Sequence, residues 1–372
     1  MSLSPRTAEV AEKLERLRER MRARGAGAAV LTRIANFAWL SGGGRSFINV
    51  AAEGGAAWIA VTADRVAVLT SNIEAARLRE EELAGLDWDL LPFDWWDEAG
   101  LTQGLRGLVG ETPLLADGGV PGAIDGAADL VALRTALSPP ERVRAAELGR
   151  DVAAALEACC RALRPGEAEF EIAGRLAAEC YTRGAEPVVH LVAADERAFT
   201  RRHPLPTRAV LRRYALVAVC GLRGGLVVSC TRLVHFGAPA PDLLRRWHTA
   251  AEVDAAMIAA TRPGATAGAV LAAARAAYTR LGFPEEWRQH HQGGLAGYAS
   301  REWRAVPDGR QVVAPGQLFA WNPSVAGVKS EDTILSADGA GPPRVLTETG
   351  RWPLAEFPTA AGPVRRPEML VL

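Results

Sequence analysis

A helix–Pro–Gly–helix break occurs twice in this 372-residue chain, at Arg164-Pro-Gly166 and again at Arg262-Pro-Gly264. No other feature constrains the fold as strongly. Proline ends a helix, and the following glycine turns the chain in a conformation other residues resist. The first break separates a helical pattern from Glu141 to about Ala162 from another starting at Glu167 and running to Arg183. The second divides a helical block from Pro241 to Leu281. Between the two blocks, Leu216–Cys220 and Leu226–Ser229 read as antiparallel strands joined by the tight Gly221–Gly225 turn. This half of the chain is therefore expected to hold two broken helical blocks with an antiparallel strand pair between them.

The first third reads differently. Val10, Leu14, Leu17 and Met21 mark one face of a helix over residues 7–25, and short apolar strands follow at Ala28–Thr32, Ala57–Val61 and Val66–Leu69. A helix is expected from Asn72 to about Leu83. Strands alternating with helices predict an α/β unit. Gly118, Gly119, Pro121 and Gly122 punctuate its end, and Ser138-Pro-Pro140 opens the next helix. The expected domains are residues 1–135 and 136–372. The Pro- and Gly-rich tail after Ser336 is expected to be irregular, with Val345-Leu-Thr347 as its last strand.

Lys plus Arg and Asp plus Glu are 43 each, so no basic field exists to attract nucleic acid or an anionic membrane. No apolar run reaches the ~18 residues needed to span a bilayer, and the start at Met1-Ser-Leu leads into a charged amphipathic helix. Five cysteines without a CxxC pair predict reduced thiols in the cytoplasm.

The segments that carry chemistry are His203-Pro-Leu-Pro-Thr207, Val219-Cys-Gly221 running into Ser229-Cys-Thr-Arg232, His291-Gln-Gly-Gly294, Phe319-Ala-Trp-Asn-Pro323 and Gly327-Val-Lys-Ser-Glu-Asp332. In order, they resemble the landmark segments of the pita-bread family, which includes methionine aminopeptidase, aminopeptidase P, prolidase and creatinase. The resemblance covers residues ~7–335 and implies an α/β creatinase-like N-terminal domain followed by an α+β pita-bread domain. It also implies a set of two Asp, one His and two Glu that holds two divalent ions in the metal-binding members. Cys220 and Ser229 stand where the Asp pair would be and Asn322 where the first Glu would be. His291 and Glu331 keep their family identities, while Arg301 replaces a second histidine and Glu302 is retained.

By that resemblance His203 is the expected proton shuttle, since imidazole titrates near neutrality. His291, Glu331 and Glu302 complete the expected catalytic group. Arg232 and Arg301 are expected to clamp a substrate carboxylate, with Glu331 and Glu302 holding a cationic part; a structural ion pair between Arg232 and Glu302 or Glu331 is the alternative. Tyr298, Asn322, Cys220 and Ser229 are expected to line the pocket. Arg45, in Ser41-Gly-Gly-Gly-Arg-Ser46, is a possible contact to a neighbouring subunit's substrate, with a solvated loop charge as the alternative. His290 reads as a packing or surface residue, and Asp94-Trp-Trp-Asp-Glu98 as an interface or pocket rim.

A neutral thiol, hydroxyl and amide cannot offset four positive charges. The expectation is an enzyme without metal or cofactor, a homodimer acting on a small amino-acid-like, guanidino or amide metabolite by creatinase-like C–N hydrolysis. Lyase or rearrangement chemistry, a metallo-aminopeptidase or Xaa-Pro dipeptidase, an inactive ligand-binding homologue, a Cys220-dependent hydrolase and a single ion at Cys220, His291 and Glu331 stay open.

Overall fold

A computed structural model of the protein describes residues 4–97 and 99–372. The chain divides into two compact units. One holds the residues up to Pro140 together with 224–226, and the other holds 141–223 and 227–372. The division thus falls within the first turn of the helix Pro139–Arg161, slightly beyond the expected boundary at 135.

The first unit is built on a six-stranded mixed sheet. Its order is Asp89–Phe93, Val66–Ser71, Gly54–Val61, Ala28–Arg33, Leu114–Ala116, Ile124–Asp125. Ala28 to Thr32 is buried throughout, as befits a central strand with both faces covered. The helix Pro5–Ala23 starts with the Ser4 hydroxyl accepting from the Thr7 N–H and with proline in its first turn. The helix expected from Asn72 is one short turn, Ala75–Arg77, continued by a wider turn at Leu78–Glu82. Trp95 and Trp96 stand more than 60% exposed with their rings edge to face, 5.6 Å apart. Glu98 of that patch lies outside the described residues, as does the Met1-Ser-Leu start.

The second unit carries the two helix breaks, and both are built alike. Gly166 and Gly264 hold φ of +102° and +91°, the left-handed region that favours glycine. Gly166 donates its N–H to Leu211 and Gly264 donates to Val313. Single antiparallel bridges, Ala168 to Val210 and Thr266 to Val312, then pin each break to a strand-like segment. The four helices so paired are Pro139–Arg161 with Glu169–Thr182, and Pro241–Ala260 with Ala267–Arg280. They accompany two sheets. One runs Leu370–Val371, Leu226–His235, Tyr214–Arg223, Glu186–Ala194, and the other Trp303–Arg304, Gly293–Ala296, Leu318–Trp321, Asp332–Leu335, Arg344–Val345. Stacked Phe319 and Trp321 anchor the core of this unit.

The tail departs from expectation. It forms three further strands, Leu354–Phe357, Val364–Pro367 and Leu370–Val371. It also contributes Arg366, only 1% exposed, to a buried charge network. No helix among the described residues is long and apolar enough to cross a membrane.

Candidate active site

Strand alternation decides which side chains reach the cavity. Along Leu226–His235, Ser229 and Thr231 share one face and Cys230 and Arg232 the other. Cys220, on the adjacent strand Tyr214–Arg223, places its sulfur 3.2 Å from the Ser229 hydroxyl. The Thr231 hydroxyl donates to Glu331 Oε2 at 2.7 Å. Arg301 closes the group from the loop before Trp303–Arg304. Its Nη2 donates to Glu331 Oε1 at 3.0 Å, and its Nη1 lies 3.5 Å from the Ser229 hydroxyl. Lys329, at the end of the short strand Val328–Lys329, holds its Nζ 3.6 Å from Glu331 Oε2.

Cys220, Arg301, Lys329 and Glu331 border a cavity of about 310 Å³, whereas Ser229, expected to line it, is buried with Thr231 outside its wall. Its walls include His203, Cys220, His291, Asn322, Glu331 and three cations, Arg301, Arg304 and Lys329. Glu331 is the one carboxylate among them. Burial alone would raise its pKa, but Lys329, Arg301 and the Thr231 hydroxyl hold it below the usual carboxylate value. Burial pushes the Cys220 thiol up, so it stays protonated at neutral pH. The Asn322 Oδ1 is buried without a hydrogen-bond partner, an acceptor left open at the cavity wall.

His203 and His291 line the cavity, and His290 stands behind them. The two Nε2 atoms of His203 and His290 are 3.0 Å apart, and the His290 ring stacks on His291 with centroids 4.4 Å apart. Burial and the charge of Lys329 lower His203, and burial with Arg301 and Arg304 brings His291 down to about 4. His290 is lowered further, chiefly by burial. All three are neutral at pH 7. Among the described residues, the potential metal ligands that gather within 4.8 Å of one another are these three imidazoles, not Cys220, His291 and Glu331, the single-ion set that the sequence left open.

Four other expected site residues lie outside the cavity wall. Arg232 is 2% exposed and spans Asp332, at 3.0 Å, and the Thr347 carbonyl, so it cannot clamp a substrate. Its partner is Asp332, not Glu302 or Glu331. Asp332 also accepts from Arg366 and the Thr347 hydroxyl, which fixes the backbone beside Glu331. Tyr298 is buried, and its hydroxyl donates to Glu141 at 2.5 Å. Glu302 is half-buried outside the cavity wall. Arg45, in the first unit, pairs with Glu82 at 3.0 Å. The glycines at 293 and 294 serve sheet packing. A Cβ at Gly293 would lie 2.2 Å from the Ala320 carbonyl oxygen, and one at Gly294 would lie 2.0 Å from that of Trp303. Lys329, Arg304 and His290 are the site residues that motif reading missed. Its place two residues from Glu331 in the Gly327–Asp332 segment was the available signal for Lys329.

A creatinase-type N-terminal domain and a C-terminal domain of paired helix breaks over two sheets define a two-domain pita-bread protein. The profile of metallopeptidase family M24 matches residues 144–338, and that of the creatinase/prolidase N-terminal domain matches residues 13–116. The chain belongs to metallopeptidase family M24. No curated protein sequence matches it significantly. Among solved structures, the prolidase from Pyrococcus horikoshii OT3 is 18% identical with a TM-score of 0.77, over 91% of this chain and 98% of that one. The Xaa-Pro dipeptidase from Bacillus anthracis is also 18% identical, with a TM-score of 0.75 over 98% and 100%. The N-terminal domain of the FACT complex subunit SPT16 from chickpea is 15% identical, with a TM-score of 0.71 over 94% and 98%. The same fold thus occurs in peptidases and in a subunit of a complex.

Proposed function

We propose that this protein hydrolyses a C–N bond in a small anionic metabolite of the amino-acid, amide or guanidino class, by acid–base catalysis without a metal ion. The observation that carries this reading is the commitment of Glu331. Its two oxygens are taken by Arg301 and Thr231, with Lys329 alongside. An ion pair of the family type would have to displace that guanidinium and then be neutralised by one carboxylate amid three cations. The thiol–hydroxyl contact of Cys220 with Ser229 and the neutral Asn322 add no charge. These side chains do not fit two divalent ions.

Lys329 and Arg304 suit a substrate carboxylate, and the open Asn322 acceptor suits an N–H of the scissile group. His203, neutral at pH 7, takes a proton from the attacking water and returns it to the departing nitrogen. Among the described residues no imidazole lies at hydrogen-bond distance of Cys220 to activate it; its partner is Ser229. The reading includes a homodimer, for which the exposed Trp95–Trp96 pair is the candidate contact.

The test is turnover of N-acyl and guanidino acids by chelator-treated protein. Activity should persist, and His203→Ala should lower it by roughly 10²–10⁴. Activity that appears only after Mn²⁺ or Co²⁺ is restored would overturn the proposal.

A further inference from the structure

We propose that His203, His290 and His291 form a mononuclear site for a zinc-class divalent ion, sharing only His291 with the family's ligand set and none of its carboxylates. Its occupation shuts down the cavity's proton chemistry, a consequence that rests on the function proposed above.

The site follows from geometry. Each imidazole offers one ring nitrogen, and all three nitrogens lie within 4.8 Å of one another. The His203–His290 separation is 3.0 Å. A tetrahedral ion with bonds of ~2.0–2.1 Å spaces its nitrogen ligands at roughly 3.3 Å, so two are nearly placed and the third needs a ring rotation. His203 and His291 both border the cavity, which leaves an open fourth position there.

The protonation state favours ligation too. Neutral imidazoles need lose no extra proton to bind a metal. In the pair, one Nε2–H donates to the other Nε2. The His290 Nδ1 is buried without a partner. Either ring can be that donor, and when it is His203 its Nδ1 keeps the lone pair for proton transfer. Ligation moves that proton to the donor ring's Nδ1. Lys329, Arg301 and Arg304 repel every divalent ion alike, with Glu331 offsetting one of them. The imidazole set then discriminates, favouring Zn²⁺, Ni²⁺ and Cu²⁺ over Mn²⁺ and Mg²⁺. A bound ion takes the His203 lone pair that proton transfer uses, so it inhibits where the family's ions activate.

The experiment is equilibrium dialysis of chelator-treated full-length protein against Zn²⁺ alone, with metal analysis and the visible spectrum of the Co²⁺ form. One equivalent is expected, with a tetrahedral cobalt spectrum. Affinity should fall at least tenfold in His290→Asn and in His203→Asn, and be retained in Glu331→Gln and Cys220→Ser. His203 is exposed, so its variant reports even if the buried His290 variant fails to fold. No bound zinc would overturn this inference and leave the proposed reaction standing. Two equivalents lost in Glu331→Gln but kept in His203→Asn would overturn both.

Discussion

Replacing Arg301 by methionine removes the group that occupies Glu331 while keeping most of the side-chain volume. The Arg301 side chain is 9% exposed and that of Glu331 is 6% exposed. Removing one partner of a buried pair costs about 3–5 kcal/mol. Lys329, at 3.6 Å, and the Thr231 hydroxyl remain on the carboxylate, which brings the cost below that range, to about 2–3 kcal/mol. For a unit of this size that is a Tm loss of roughly 5–10 °C at pH 7. The sign with pH follows from the depressed Glu331 pKa. Its stabilisation is present above the ordinary carboxylate value of 4.5 and is lost as pH falls through the lower folded value. The deficit of Arg301→Met should therefore shrink as pH falls below 4.5 and through the lower folded value, where Glu331 becomes protonated. Calorimetry of wild type, Arg301→Met, Glu331→Gln and the double variant gives the coupling directly. Equal losses in the presence and absence of Glu331, or no loss at pH 7, would refute the reasoning.

Two further outcomes follow from the same geometry. Arg232→Met should destabilise by about 3–5 kcal/mol, because it strips a buried partner from Asp332, yet leave ligand affinity unchanged; thermal melts beside titrations check this. Iodoacetamide should label Cys220 at least several-fold more slowly than an unhindered thiol at pH 7.5, since burial keeps it protonated, while all five thiols label after denaturation; mass spectrometry counts them.

Much of this was legible from residues alone. The two Arg-Pro-Gly breaks announced the paired helices, because proline and a left-handed glycine leave little choice of conformation. Cys220, Ser229, Arg301 and Glu331 converge because their motifs sit at ends and faces of strands. Arg232 was misplaced by reading its motif without its parity: three residues from Ser229, it must face the other way. The same parity sends Asp332 away from the cavity, where it meets Arg232 and Arg366. His290 had no such signal, since it lies in a loop without periodicity and its partner His203 is 87 residues distant. The tail strands were hidden by proline and glycine. Arg366 ties them to the unit by reaching Asp254 and Asp332, long-range contacts that composition does not encode.

Manganese binds oxygen ligands well and imidazole clusters poorly. Anomalous diffraction from crystals grown in millimolar Mn²⁺ therefore reports on the carboxylate cleft itself. The account predicts no manganese beside Glu331 and the Arg301 guanidinium still on its Oε1. Two manganese peaks in the cleft bounded by Cys220, Asn322 and Glu331, with Arg301 swung aside, would contradict it.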